Sequence, residues 1–316
     1  RRRQRQMCIR DRGRREFLPV HLYLGEKGLV AFPCKGGSGA ITTLASADGF
    51  LEIGEDRVIL DEGEKVRVRL LTREFRPPHL VIVGSHCLGL ELLLKILRED
   101  YPWLVFKTVN VGSAGGLAAL RRGEADIAGV HLLDEETGQY NIPFLERYGL
   151  GGRVALFRGY QRRQGFLVAK GNPKQFKGVQ DLLRPDICMI NRNPGSGTRI
   201  LLDLHLRRLA EKLGLSFEEL TSKVKGYEVE ARSHSAVASA IAQGRADVGL
   251  GIETIASQYK LDFIPLTLEQ YDFAVRLESL SKPSVQAFLQ TLSSQKFKDA
   301  LTSQTRGLIP TQDTGR

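Results

Sequence analysis

From His79 to the end of the chain, short apolar runs alternate with amphipathic stretches, and this rhythm limits the fold more than any other feature. HLVIVG (79–84) reads as a strand, and CLGLELLLKILRED (87–100) spaces its leucines for one face of a helix. WLVFKTVNV (103–111), GSAGGLAALRRGE (112–124) and ADIAGVHL (125–132) read as strand, helix and strand. GRVALFRGY (152–160) and RQGFLVAKG (163–171) read as two closely joined strands, VQDLLR (179–184) as a helix and DICMIN (186–191) as a strand. After a helix that opens near Ser196 come GYEVEA (226–231), SAVASAIAQG (235–244) and ADVGLGI (246–252), a strand, a helix and a strand. LDFIPLTLEQYDFAVR (261–276) gives two strands, and KPSVQAFLQTLSSQKFKDALTS (282–303) two closing helices. Such alternation predicts parallel sheets covered by helices, with ligands at the carboxyl ends of the strands.

One unit occurs twice. GSAGGLAALRRGEADIAGVH (112–131) is echoed by SHSAVASAIAQGRADVGLGI (233–252), with Gly123-Glu124-Ala125-Asp126 matching Gly244-Arg245-Ala246-Asp247. Two copies are too few for a solenoid. They predict two similar lobes across a cleft, the first about 79–160 and 253–316, the second about 163–252.

NPGSGTR (193–199) lies where a strand hands over to a helix. Ser196 and Thr198 are good N-cap residues, and the free N–H groups of a helix start attract an anion. The run is not a Walker A loop, because no Gly-Lys-Ser/Thr follows at the required spacing. Three further junctions carry small or hydroxyl residues: Gly84-Ser85-His86, Gly112-Ser113 and Ser233-His234-Ser235. Four junctions of one kind over two lobes predict converging donors for a small oxyanion. The expected anchors are Ser85, His86, Ser113, Ser196, Gly197, Thr198, Arg199 and Ser235, with His131 and His234 near the same strand ends. Asp126 and Asp247 precede strands and read as turn caps. No nucleophile beside a base and no carboxylate pair is legible, so no catalytic residue is expected. Nor is any side chain expected to coordinate a metal directly.

Ahead of this region, residues 17–73 read as a small β domain: LVAF (29–32), RVIL (57–60) and KVRVRLL (65–71) surround turns, and Arg76-Pro77-Pro78 is a linker. The net charge of +10 is concentrated in residues 1–15, where eight arginines face one aspartate, leaving +3 on the other 301 residues. That distribution argues against a nucleic-acid partner. The run RQRQMCIRDR resembles translated sequencing-adapter sequence, so residues 1–16 are expected to be a disordered head outside the functional body. Cys8, Cys34, Cys87 and Cys188 form no CxxC pair, which favours reduced thiols over a zinc site or a disulfide framework. No apolar run reaches the roughly eighteen residues of a membrane span, and no secretion signal is legible, so a cytoplasmic location without a membrane partner is expected.

Two resemblances sharpen these expectations. VGSAGGLAALRRGEADIAGVHLLDEETGQYN (111–141), KGNPK (170–174), NRNPGSGTRILLD (191–203) and ADVGLG (246–251) resemble the periplasmic-binding-protein-like domain attached to some molybdenum-cofactor proteins and some regulators. The resemblance implies an α/β fold of type II: two lobes joined by a hinge, closing on molybdate or tungstate at helix starts. PCKGGSGAITTLASADGFLEI (33–53) with EGEKVRVRLL (62–71) resembles the C-terminal β domain of molybdopterin molybdenumtransferase. That enzyme inserts molybdate into adenylylated molybdopterin with Mg²⁺, and its larger preceding domains would be the partners of this tail. Gly36, Gly37, Ser38 and Gly39 would then line the pterin site of the intact protein, or form a plain hairpin loop. Together the resemblances imply a molybdenum-cofactor biosynthesis protein whose two-lobe domain delivers or senses the oxyanion. The alternatives are a molybdate-responsive regulator, a transport substrate-binding protein, or a pterin cleft lined by Tyr140, Phe144 and Tyr160. A homodimer of the intact protein stays open.

Overall fold

The computed structural model describes residues 7–8, 15–25, 28–34, 47–55, 59–61, 63–72, 75–134, 136–194, 196–231 and 233–316. The chain divides into two compact units between Val81 and Ile82.

In the first unit, β1 (Met7–Cys8) pairs with β5 (Ile59–Leu60). The strands β2 (Glu16–Gly25), β3 (Gly28–Pro33), β4 (Gly49–Ile53) and β6 (Val68–Leu70) form an antiparallel sheet in the order β3-β2-β4-β6. Val20 and Leu22 alternate on one face of β2, and Leu51 and Ile53 on one face of β4, so the period of two buries one side of each strand. Within the stretch expected to be disordered, Met7–Cys8 is a strand, Glu16 opens β2 and Arg15 pairs with Glu52 at 2.9 Å. Gly36, Gly37, Ser38 and Gly39 lie outside the described residues.

The second unit is built on nine strands among the described residues, in the order β12-β11-β13-β10-β14-β9-β7-β8 with β15 beside β10. They are β7 (Leu80–Gly84), β8 (Phe106–Asn110), β9 (Ile127–Val130), β10 (Val154–Val168), β11 (Met189–Arg192), β12 (Glu230–Ala231), β13 (Val248–Ile252), β14 (Asp262–Arg276) and β15 (Leu308–Pro310). The helices are α1 (Leu88–Asp100), α2 (Gly112–Arg122), α3 (Ile142–Arg147), α4 (Gly197–Leu213), α5 (Phe217–Ser222), α6 (His234–Ala242), α7 (Glu253–Gln258), α8 (Pro283–Ser293) and α9 (Gln295–Gln304). VQDLLR, expected to be an α-helix, is a 3₁₀ turn over Val179–Leu183.

The two strand pairs expected around 160 and 268 are instead two continuous strands. β10 and β14 each run fifteen residues and pair antiparallel along nearly their whole length. The start of β10 pairs with the end of β14, which pairs in turn with β9; the end of β10 pairs with β13. Both strands therefore cross from one lobe to the other, side by side. Arg162 and Glu269 face each other at the crossing, and register shifts at Arg158/Tyr160 and Gln164/Gly165 flank it. Bulges of this kind add local twist, which lets one ribbon serve two sheets. At the first shift the Gly159 N–H donates to the buried Asp272 carboxylate at 3.2 Å.

The position of the return crossing corrects the expected lobe boundary. Ile255 and Ala256 of α7 pack with Leu167, Val237 and Ile241, so residues 253–268 belong to the second lobe. The chain returns near Glu269, not at 253. The repeated unit is real in three dimensions: α2–β9 and α6–β13 sit next to the crossing strands, β9 against β14 and β13 against β10, each antiparallel. A left-handed glycine follows both helices, Gly123 at φ 72° as the cap of α2 and Gly244 at φ 67° one residue beyond the Gln243 cap of α6.

Candidate functional site

His131 follows the last residue of β9 and is the meeting point of the helix starts. Its Nε2 lies 2.8 Å from Ser85 Oγ, at the β7–α1 junction, and its backbone N–H donates to Ser113 Oγ at 3.1 Å, at the start of α2. From the second lobe, Gly197 at the start of α4 lies so close that an added Cβ would be 3.3 Å from His131 Nδ1. Ser85, Ser113 and Gly197 thus lie together around His131, from both lobes. Ser196 caps α4, accepting from the Arg199 N–H at 3.2 Å, and Thr198 is buried in the first turn.

Beneath them the crossing strands supply charge. Glu269 Oε1 lies 2.9 Å from His131 Nδ1, and its other oxygen accepts from Arg162 Nε at 2.8 Å and from a second guanidinium nitrogen. Arg162 and Glu269 are both buried. Burial by itself raises the Glu269 pKa, but the adjacent Arg162 charge, together with His131 and the Gln164 hydrogen bond, outweighs it and holds the carboxyl well below its usual range. Burial lowers the His131 pKa against the upward pull of Glu269. His234, first residue of α6, is pushed well below the imidazole range by burial and then by Arg192 and Arg162. Arg192, at the end of β11, has its own pKa lowered by burial and by Arg162. The floor thus brings the Arg162 and Arg192 guanidinium groups and the Glu269 carboxylate close to the two imidazoles.

Two buried polar groups lie on this floor. Gln164 is fully buried with its amide against the Glu269 carboxylate, and His234 Nδ1 is buried with no hydrogen-bond partner among the described residues. A buried polar atom left unsatisfied costs roughly 1–3 kcal/mol, a cost that a water or a ligand group at this place would remove.

Two expected anchors are engaged elsewhere. His86 is exposed and its Nε2 lies 2.7 Å from Glu91 Oε1, since the helix start turns it outward. Arg199 meets Asp203, one turn along α4, at 3.0 Å and lies 4.0 Å over the Tyr227 ring, with a further donation to the Arg192 carbonyl at 3.4 Å. Its i,i+4 partner claims it before a ligand could. Replacing His86 with alanine is expected to leave anion affinity unchanged within about twofold and to cost less than about 1 kcal/mol, as for other exposed pairs; calorimetry and urea unfolding check this. Ser235 is the second residue of α6, beside His234. Asp126 binds Ser279 and Lys282, and Asp247 binds the Cys188 N–H and Lys174, so both anchor neighbouring segments.

The three aromatic residues weighed for a pterin cleft do not share one wall. Tyr160 is fully buried and stacked 5.2 Å from Tyr271; Phe144 lies under Arg147; Tyr140 edges an open depression of about 430 Å³ with Arg158 and Leu268. Among the described residues, no three His, Cys, Asp or Glu side chains group as metal ligands. No helix of the described residues is long and apolar enough to cross a membrane.

Sequence reasoning placed His131 and His234 near the site but missed Arg162, Gln164, Arg192 and Glu269. The signal was present: Arg162, Gln164 and Glu269 are polar residues inside otherwise apolar strands. A strand that buries a charge in its middle must pair it, and Arg162 and Glu269 do so with each other across the crossing.

Comparison with known proteins agrees with this architecture. Residues 94–293 match the profile of the PBP superfamily domain, and residues 5–71 that of the MoeA C-terminal region (domain IV). The uncharacterized protein YvgK of Bacillus subtilis is 36% identical over 228 residues, 71% of this chain and 69% of that protein. A Clostridium pasteurianum protein from the 5′ region of a 2Fe-2S ferredoxin gene is 38% identical over 100 residues, 31% of this chain and 81% of that protein. Among solved structures, the sulfate-binding protein SubI from Mycobacterium tuberculosis superposes with a TM-score of 0.55 at 17% identity, covering 74% of this chain and 87% of that one. Peb3 from Campylobacter jejuni gives 0.51 at 16% identity, over 73% of this chain and 100% of that one. The chain belongs to the PBP superfamily, with a stretch matching the MoeA C-terminal region ahead of the two-lobe domain.

Proposed function

We propose that the second unit binds a small tetrahedral oxyanion between its lobes, at Ser85, Ser113 and the start of α4. The observation that carries this reading is the convergence of helix starts from both lobes on His131, above the buried Arg162, Gln164 and Glu269 side chains. An anion there would be held by N–H groups and hydroxyls and would favour the closed arrangement over the open one. Thr198, Ser196 and Ser235 complete the set of donors. SubI is named for binding sulfate, which supports an anion of this shape.

The finer identity of the ligand is molybdate or tungstate. Support comes from the neighbouring match to the MoeA C-terminal region, which ties the chain to molybdenum-cofactor biosynthesis. In this reading the domain delivers the oxyanion to, or senses it for, a cytoplasmic molybdenumtransferase that uses molybdopterin and Mg²⁺ in its other domains. Isothermal titration of the full chain with molybdate, tungstate, sulfate and phosphate tests it. Tightest binding of molybdate or tungstate is expected, with Arg199→Ala altering stability more than affinity. Tight binding of phosphate or sulfate alone would keep the anion site and remove the molybdenum assignment.

A further inference from the structure

Ser85, His131 and Glu269 form a relay: Oγ to Nε2 at 2.8 Å, Nδ1 to Oε1 at 2.9 Å. The donor and acceptor inventory fixes the direction of its protons. Glu269 is ionised beside Arg162 and can only accept, so His131 Nδ1 carries a hydrogen. A neutral His131 then has a bare Nε2, and Ser85 must donate its hydroxyl proton to it. Ser85 Oγ is left with lone pairs alone for anything else that approaches. It can accept a hydrogen bond from a ligand and cannot give one. An oxyanion with a proton of its own finds an acceptor here. A fully ionised oxyanion meets lone pairs with lone pairs.

Protonating His131 reverses this. Nε2–H then donates to Ser85 Oγ, and the Ser85 hydroxyl turns to donate to the ligand. We propose that Ser85 determines specificity in the cleft, because through His131 and Glu269 it couples binding of a fully ionised oxyanion to uptake of one proton from solvent at His131 Nε2. This rests on the anion-binding reading above. The groups facing His131 set the cost of that uptake. Burial opposes it first, then Arg162 on β10 and Arg192 on β11; Glu269 on β14 favours it, and His234 on α6 adds a second imidazole whose pKa burial and the same arginines lower. Tyr271, stacked 5.9 Å from the His131 ring, donates its hydroxyl to the Ser85 carbonyl and holds the serine backbone in place. Tyr271 fits only because Gly129 has no Cβ.

The test is calorimetry of the full chain between pH 6 and 8.5, repeated in buffers of different ionisation enthalpy so that protons are counted. Sulfate and molybdate, fully ionised throughout, are expected to take up close to one proton each at the alkaline end. Their affinity is expected to fall about tenfold per pH unit there. Hydrogen phosphate at pH 8 is expected to bind without net uptake. Ser85→Ala removes the lone-pair conflict and is expected to flatten the pH profile for sulfate and molybdate while weakening hydrogen phosphate. His131→Gln removes the titrating group and is also expected to abolish uptake. Binding of sulfate or molybdate to the unaltered chain with no proton uptake at alkaline pH overturns the relay and leaves the anion site intact. An unchanged pH slope in Ser85→Ala overturns it as well. If none of the anions binds at any pH, the anion-binding reading fails and the relay falls with it.

Discussion

Replacing Arg162 with methionine is expected to destabilise the second unit by about 3–5 kcal/mol. Arg162 is 1% exposed and Glu269 2%, and the two face each other where both crossing strands pass between lobes. Methionine fills much of the volume, so packing is not the main loss. The cost is the Glu269 carboxylate, left buried without the guanidinium that neutralises it. Replacing both residues by apolar ones is expected to recover most of the loss, because the orphaned charge goes too. The midpoint of urea unfolding followed by tryptophan fluorescence or circular dichroism reads both variants. A single variant within about 1 kcal/mol of the parent would mean that water reaches Glu269 and that the floor is wetter than described here.

Gly197→Val is expected to weaken anion binding by about 5–150-fold while leaving stability little changed. Gly197 is the first residue of α4, and a Cβ there would sit 3.3 Å from His131 Nδ1 and 3.4 Å from the His131 carbonyl. Alanine is a tight fit; the branched side chain of valine is not accommodated without moving the lobes apart. Overpacking of this kind costs about 1–3 kcal/mol. The contact lies between lobes, so the penalty falls on the closed arrangement and appears as lost affinity rather than as unfolding. Titration calorimetry gives the affinity and thermal unfolding the stability. A drop in melting temperature with unchanged affinity would place the contact inside one folded lobe.

The alternation from His79 onward was legible because strands and helices bury apolar residues at different periods, and β7, α1, α2 and β9 all stand where that pattern puts them. The echo between 112–131 and 233–252 was legible for the same reason. The joined pairs around 160 and 268 were misjudged as separate strands. Polar residues at 161–164 look like a turn in sequence, and only pairing across the crossing, Arg162 with Glu269, makes them strand. The second lobe boundary was displaced by the same error, since a chain that continues through 268 cannot return at 253. α5 carries a readable signal that the sequence analysis passed over, the Ser216–Glu219 capping box.

At the site, hydroxyls at helix starts could be read because capping and anion binding demand the same residues in the same places. Which of them face the cleft could not. His86 and Arg199 look like ligands until Glu91 and Asp203, at i+5 and i+4, are seen to engage them. The charged floor is non-local: Arg162 and Glu269 are 107 residues apart, and His131 and Glu269 138. No local pattern links such residues, although the polar positions within apolar strands mark them one at a time.

Diffraction from crystals of the full chain grown with tungstate or selenate locates the tetrahedral oxyanion proposed to sit between the lobes. An anomalous peak is expected within hydrogen-bond reach of Ser85 Oγ and the N–H groups that open α4, above His131 and Gln164. A peak ordered at another place on the second unit, with that cleft left to water, would contradict it.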